Sequence, residues 1–341
     1  MTLNPLEGGM ARKSKAPASK TKRVRVAMVG AGSMANEVHY PSLASFPDVE
    51  IAAICDLNQE RLNRTADNYG VEKRYTNYQQ MIEQIAPDAV YVIGHPDQMY
   101  PIWVWCLQQG LNLYVEKPMG ITIHQGRTLA LLAEKHGCIT QVSFQRRTCP
   151  MAVKLREECL KRGPIVHAVC QFYKCNIVPY YEARDRMTDD GIHAIDTIRW
   201  MCGGEVLRVH SLAKRVEVPD LNFFAALIEF DNGAAGIIVT SWSSGSRVFR
   251  VEMHSPRVRA DVELEGKGYL YADGNTTPVV YDAKEEAGSD QIWVYGGFQA
   301  KNREFIDAVK TGGQTGSNFA DALKTMEVAH EILARSFLEG R

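Results

Sequence analysis

Three short stretches of this 341-residue chain carry side chains whose types and spacing could do chemistry. The first is Gly30-Ala31-Gly32-Ser33-Met34-Ala35. It follows the apolar run Val24–Val29 and leads through a helix-like stretch to a second apolar run, Ile51–Cys55, which ends in Asp56. In a strand–glycine–helix unit the first glycine allows the tight turn and the second lets the backbone approach a pyrophosphate. The small third residue lets helix and strand pack closely. Phosphate oxygens then rest on free N–H groups at the helix start, where the dipole favours negative charge. Asp56, 26 residues after Gly30, is spaced to accept the adenosine ribose hydroxyls. Gly30, Gly32, Ser33, Met34, Ala35 and Asp56 are therefore expected to bind a dinucleotide. An acid at position 56 repels a 2′-phosphate and Arg61 lies a helical turn away, so NAD is preferred over NADP.

The second stretch is Glu116-Lys117-Pro118, at the end of the apolar strand-like run 111–115. A Glu-Lys pair at a strand end is ordinarily solvated surface charge. Here the carboxyl end of the strand is where a nicotinamide ring belongs, and Pro118 restricts Lys117 to extended geometry. An ammonium held there can hydrogen-bond a substrate hydroxyl and stabilise the oxygen anion that develops during hydride transfer.

The third runs from Asp189 to Trp200 and contains Asp189, His193 and Asp196 at i, i+4 and i+7, one face of a helix. Ile192, Ile195 and Ile198 form another face that can enter a core. A helix start and a nearby lysine both favour neutral imidazole, which suits His193 to serve as a general base toward an alcohol. The carboxylates could orient the ring or hold substrate hydroxyls. Two other readings stand beside this one: a capping Asp with a structural His, and a zinc or manganese site. No other dense cluster of metal ligands accompanies it, so no metal is assigned.

These groups need a frame to bring them together. Strand-like runs at 24–29, 50–55, 88–93, 111–115 and 139–144 alternate with helical stretches near 34–45, 58–69, 98–109 and 121–136. Strands apolar on both faces and separated by helices predict a doubly wound parallel sheet. After Arg147 the pattern changes. Helices near 151–162 and 188–202 accompany strands at 165–175, 205–217, 221–230, 234–243, 247–255 and 258–264, with helices at 299–311 and 317–337 closing the chain. Asp231-Asn232-Gly233 marks a hairpin. The expected fold is α/β: an N-terminal Rossmann domain (23–146) and a C-terminal α+β domain (147–341) with a large, mostly antiparallel open sheet. Strands such as Phe223–Ile228, apolar on both faces, predict a homodimer or homotetramer joined through that sheet.

Composition narrows the class. A hydrophobic content of 45% with 23% charged residues is ordinary for a globular chain. The net charge of −1 offers no drive toward nucleic acid or a membrane surface, and no apolar run spans a bilayer. Eight scattered cysteines without a CxxC pair read as reduced thiols, hence a cytoplasmic protein. Residues 1–25 carry seven basic side chains and one acid, a charge of +6 that leaves −7 on the remainder. Up to residue 22 this segment reads as a disordered basic tail, without the apolar core of a secretory signal.

On the glycine motif, Glu116-Lys117-Pro118 and the Asp-x-Gly-x-His-x-x-Asp pattern of residues 189–196, the chain from Val24 to the last helix resembles the Gfo/Idh/MocA family, which includes glucose-fructose oxidoreductases and inositol dehydrogenases. The resemblance implies a catalytic set of Lys117, Asp189 and His193 over the nicotinamide, with Asp196 as a substrate-hydroxyl ligand. It also implies an open C-terminal sheet used in dimer contacts. His95-Pro96 stands where members commonly have Thr-Pro, and both residues are expected near the cofactor, as is Glu116. Arg147 matches a strand end from which an arginine can reach substrate, although a structural arginine fits that position equally. The expected activity is NAD(H)-dependent hydride transfer at a secondary alcohol of a sugar, sugar derivative or cyclitol. Its rival is a redox-neutral glycosidase or lyase that oxidises transiently and eliminates.

Overall fold

The computed structural model describes residues 23–180 and 185–339. The basic stretch expected to be a disordered tail lies outside them. Strands β1 (Val24–Val29), β2 (Val49–Cys55), β3 (Arg74–Tyr75), β4 (Ala89–Val92), β5 (Leu113–Val115) and β6 (Thr140–Val142) form a six-stranded sheet in the order β3-β2-β1-β4-β5-β6. All neighbouring pairs are parallel. That is the doubly wound dinucleotide-binding order. Every residue of β4 and β5 is buried because helices cover both faces. The covering helices are α1 (Tyr40–Ala44), α2 (Gln59–Tyr69), α3 (Tyr78–Ile85), α4 (Pro96–Gln108) and α5 (Ile123–His136). Capping sets several limits: Asn58 accepts from the Arg61 N–H at 2.9 Å to start α2, and Gly70, at φ +63°, ends it. Expected helix 34–45 is partly a π turn, Ala35–His39, that leads into α1.

The second sheet has eight strands: β7 (His167–Cys175), β8 (Val206–Lys214), β9 (Phe223–Phe230), β10 (Ala235–Ser241), β11 (Ser243–Ser255), β12 (Val258–Glu263), β13 (Lys267–Ala272) and β14 (Val279–Asp282). Their order is β14-β13-β12-β11-β7-β10-β9-β8, antiparallel except where β10 runs parallel to β7. Helices α6 (Pro150–Leu160) and α7 (Ile192–Cys202) and the later α11 (Phe319–Glu339) cover one face. Gly236 on β10 lets α7 come close, since a Cβ there would stand 2.4 Å from Ile198 Cγ2. Along the chain, α8 (Ala283–Ala287), α9 (Ile292–Tyr295) and α10 (Phe298–Thr311) follow β14 and precede α11.

Packing does not respect the change of pattern near Arg147. Phe305 and Ile306 of α10 enter the cluster of Val26, Met28 and Tyr91 on one face of the parallel sheet. Phe319, Ala322 and Met326 of α11 join Val92, Val115 and Leu129 on the other. The three isoleucines expected on one core face of α7 divide as well. Ile195 and Ile198 pack under the second sheet, whereas Ile192 belongs to the cluster around Val115 and Phe144. The first turn of α7 thus sits at the junction of the two cores, and His193 with it.

Candidate active site

A cleft of about 520 Å³ opens at the carboxyl ends of β1, β2, β4 and β5. It is lined by Gly30, Gly32, Ser33, Met34, Ala35, Asp56, His95, Pro96, Glu116 and Lys117, together with Asp189 from the other side. The turn after β1 is built for close approach. Gly30 has φ +106°, and a Cβ there would lie 2.0 Å from the Ile93 carbonyl oxygen. Around Gly32 no heavy atom would meet a Cβ within 4 Å, leaving its backbone open to a ligand. Ala35 is buried. A phosphate-bearing dinucleotide fits this cradle, where Gly32 leaves the backbone uncovered by any side chain of its own.

Asp56 is more engaged than the sequence implied. One carboxylate oxygen accepts from the Ala31 N–H at 2.8 Å and so braces the glycine turn. The other accepts from the Asn58 N–H at 2.8 Å and from Arg61 Nη2 at 2.9 Å. Burial pushes this carboxyl up, but Arg61 and the two N–H groups outweigh it and hold Asp56 below the usual range. Arg61, a full helical turn away in sequence, is a direct partner of the acid.

Lys117 rises from the end of β5 across the cleft, and its Nζ donates to the Asp189 backbone carbonyl at 2.8 Å. Its peptide bond to Pro118 is cis. Asp189 lies in a second π turn, Met187–Gly191, that feeds α7. Its carboxylate is 3.5 Å from the Tyr180 hydroxyl. His193 is 8% exposed. Burial first, then the positive charge of Lys117 and next of Arg146, pushes its pKa well below the ordinary imidazole value, so the ring is neutral.

The π turn breaks the single helical face expected for Asp189, His193 and Asp196. Asp196 is buried and takes a two-point contact from Arg147, whose Nε donates to Oδ2 at 2.8 Å and whose Nη2 bonds Oδ1. Thr325 Oγ1 donates to the same Oδ1 at 3.2 Å, and Asp321 also pairs with Arg147, at 2.7 Å. Of the expected site residues, His193, Arg147 and Asp196 do not line the cleft. The structure brings Arg147 and Asp196, the two expected substrate ligands, to each other.

Sequence reasoning missed a neighbouring set. Asp190 accepts from Lys174 Nζ at 2.5 Å and from Trp242 Nε1 at 3.0 Å. Burial raises its pKa, yet Lys117 and then Lys174 bring it below the usual carboxylate range. Arg146 lies over the Phe249 ring at 3.9 Å and 3.5 Å from Glu265. Lys174 and Trp242 sit in sheet strands or between them, where periodicity gives no sign of a polar role. Among the described residues no group of three or more His, Cys, Asp or Glu is placed to hold a metal ion.

A glycine cradle at the carboxyl ends of a doubly wound sheet, with the Lys117 ammonium and Asp189 at its wall, is the arrangement of a dinucleotide-binding oxidoreductase. Residues 24–144 match the "Oxidoreductase family, NAD-binding Rossmann fold", and residues 180–260 match the "GFO/IDH/MocA C-terminal domain". The chain belongs to the Gfo/Idh/MocA family, and its first domain is an NAD-binding domain. Over 333 residues it is 25% identical to the rhizopine catabolism protein MocA of Rhizobium meliloti, covering 92% of this chain and 96% of that one. Over 308 residues it is 24% identical to the myo-inositol 2-dehydrogenase of Thermotoga maritima, covering 85% and 89%. A dehydrogenase crystal structure from Chromobacterium violaceum superposes with a TM-score of 0.85 at 22% identity, covering 94% and 97%.

Proposed function

We propose that the protein is an NAD(H)-dependent dehydrogenase acting on a secondary alcohol carbon of a sugar, sugar derivative or cyclitol. The observation that carries this reading is the Lys117–Asp189 bond, which spans the cleft four residues before the neutral His193. Bound NAD would supply the hydride acceptor. His193 takes the proton of the reacting hydroxyl, while Lys117 donates a hydrogen bond to the same oxygen and stabilises its developing charge. Asp189 holds a neighbouring hydroxyl or orients the site. Arg147 and Asp196 support this set by anchoring α7 rather than by touching substrate.

NAD is the preferred coenzyme in this reading, because Arg61 is committed to Asp56 and a 2′-phosphate would meet that carboxylate. Residues 23–146 bind the cofactor and 147–341 supply the substrate wall. Two further parts of the reading are cytoplasmic operation, supported by eight free cysteines, and homo-oligomerisation through the open sheet. No described helix is long and apolar enough to cross a membrane.

The test is a screen of sugars and inositols with NAD and NADP, following reduced nicotinamide. Lys117→Ala should lower kcat by about a hundredfold or more while NAD binding persists. A normal rate in that variant overturns the assignment. Product release without accumulation of reduced cofactor would mark transient oxidation and elimination instead.

A further inference from the structure

His39 is fully buried at the end of the π turn that follows the glycine cradle. Its Nε2 stands 2.8 Å from Glu116 Oε1, and its Nδ1 stands 3.2 Å from Asn302 Oδ1. Asn302 Nδ2 donates to Ser42 Oγ at 2.9 Å, so an amide oxygen faces Nδ1 and a carboxylate oxygen faces Nε2, and the ring meets both acceptors as the two-donor imidazolium form. Three remote segments therefore meet at one imidazole: the helix after the cradle, the end of β5, and α10 from near the end of the chain. The ring is boxed edge-on by Tyr114 and Phe298, with centroids 5.2 and 6.1 Å away. Only Glu116 reaches the cleft, beside Lys117, with 11% of its side chain exposed.

A carboxyl group at that depth needs hydrogen bonds to offset lost hydration, and His39 provides one from behind. Strand order says which part of the cofactor this wall faces. Asp56 on β2 serves the adenosine ribose and the turn after β1 serves the pyrophosphate, so the other half lies over the ends of β4 and β5. We propose that His39 is a positioning residue for dinucleotide binding. Backed by Asn302, it holds the carboxyl group of Glu116 toward the nicotinamide half of the cleft, as an acceptor for an O–H or N–H donor of the nicotinamide riboside. The cofactor site is thereby completed by a helix from the far end of the chain, which explains why a polar trio persists where α10 packs on the parallel sheet.

The test is calorimetric titration of the full-length protein with NAD⁺ and no substrate, so its outcome is independent of the roles given to Lys117 and His193. His39→Phe keeps the ring's apolar contacts and removes both nitrogens. Its Kd should rise about tenfold or more. In the Glu116→Gln background the same change should add little, because His39 acts through Glu116. A folded His39→Phe protein with unchanged Kd, or losses that simply add in the double variant, overturns the proposal. If His39→Phe does not fold, Asn302→Ala and His39→Gln replace it. Weakened binding in the first and retained binding in the second, which keeps a donor for Glu116, support the proposal. Unchanged binding in Asn302→Ala or lost binding in a folded His39→Gln overturns it.

Discussion

His193 stays neutral because burial, and after it the Lys117 ammonium, oppose a second positive charge. In the unfolded chain the same imidazole titrates near about 6.5. The folded value lies below that, so unfolding in acid takes up a proton. The contribution of the neutral ring is complete above the unfolded value and is lost as pH falls below about 6.5 toward the folded one. Thermal midpoints should drop as pH is lowered from about 7.5 to 5, and His193→Gln should flatten part of that drop. An unchanged slope in His193→Gln would show that other groups carry it. At this scale the position of Lys117 at the cleft was legible because it directly follows a strand end. The contact between Arg61 and Asp56 was not, because it depends on the phase of α2 against β2. Asp190 was hidden behind Asp189: the π turn rotates the helix and gives the two adjacent acids different partners.

Elements hold these side chains through a few positions that tolerate no change. Gly30 combines φ +106° with a Cβ position 2.0 Å from a backbone oxygen that has no room to move. Gly30→Ala should cost at least about 2 kcal/mol of stability, read as a lower urea midpoint, and should abolish NAD binding. The short helical segment Gln145–Thr148 is tied to α7 by Arg147 and Asp196, whose side chains are 10% and 2% exposed. Removing one partner strands a buried charge, so Arg147→Met should cost about 3–5 kcal/mol in chemical denaturation. The double change Arg147→Met with Asp196→Leu should recover part of that loss. If the single variant is as stable as the parent, the pair does not anchor α7. Most elements were readable from periodicity and caps. The longer elements not expected are α3 with eight residues and β13 with six; the short ones are β3 with two, α8 with five, and α9 and β14 with four each. Windows of that length do not distinguish strand, helix and turn. Helix α3, with Asn77 capping Gln80 at 3.0 Å, did carry a readable start signal.

Among the described residues, the face of the second sheet away from α6, α7 and α11 carries exposed apolar side chains. Across β8, β9, β10 and β7, Leu212 pairs with Ala225, Leu227 with Ile237, and Ile237 with Val169. Leu212, Leu227 and Ile237 are 53%, 42% and 38% exposed. A contiguous apolar patch on a sheet is the surface expected of a subunit interface. Leu227→Glu should shift the sedimentation of the protein toward the monomer without lowering helix or strand content by circular dichroism. A variant with the assembly state of the parent would remove this face from the interface.

Read as a sequence, the chain already determined its class. Apolar periodicity, glycine spacing and the strand-end lysine are local features, and they specify a dinucleotide turn, a parallel sheet and a lysine at the mouth of the cleft. Tertiary structure decided which polar groups became partners. Arg147 went to Asp196, Lys174 to Asp190, Arg61 to Asp56, and His39 to Glu116 and Asn302. Such pairings depend on where separate elements stop and how they rotate against each other. Burial then enforces them, because a polar group inside a core must find a partner wherever the packing of remote segments provides one.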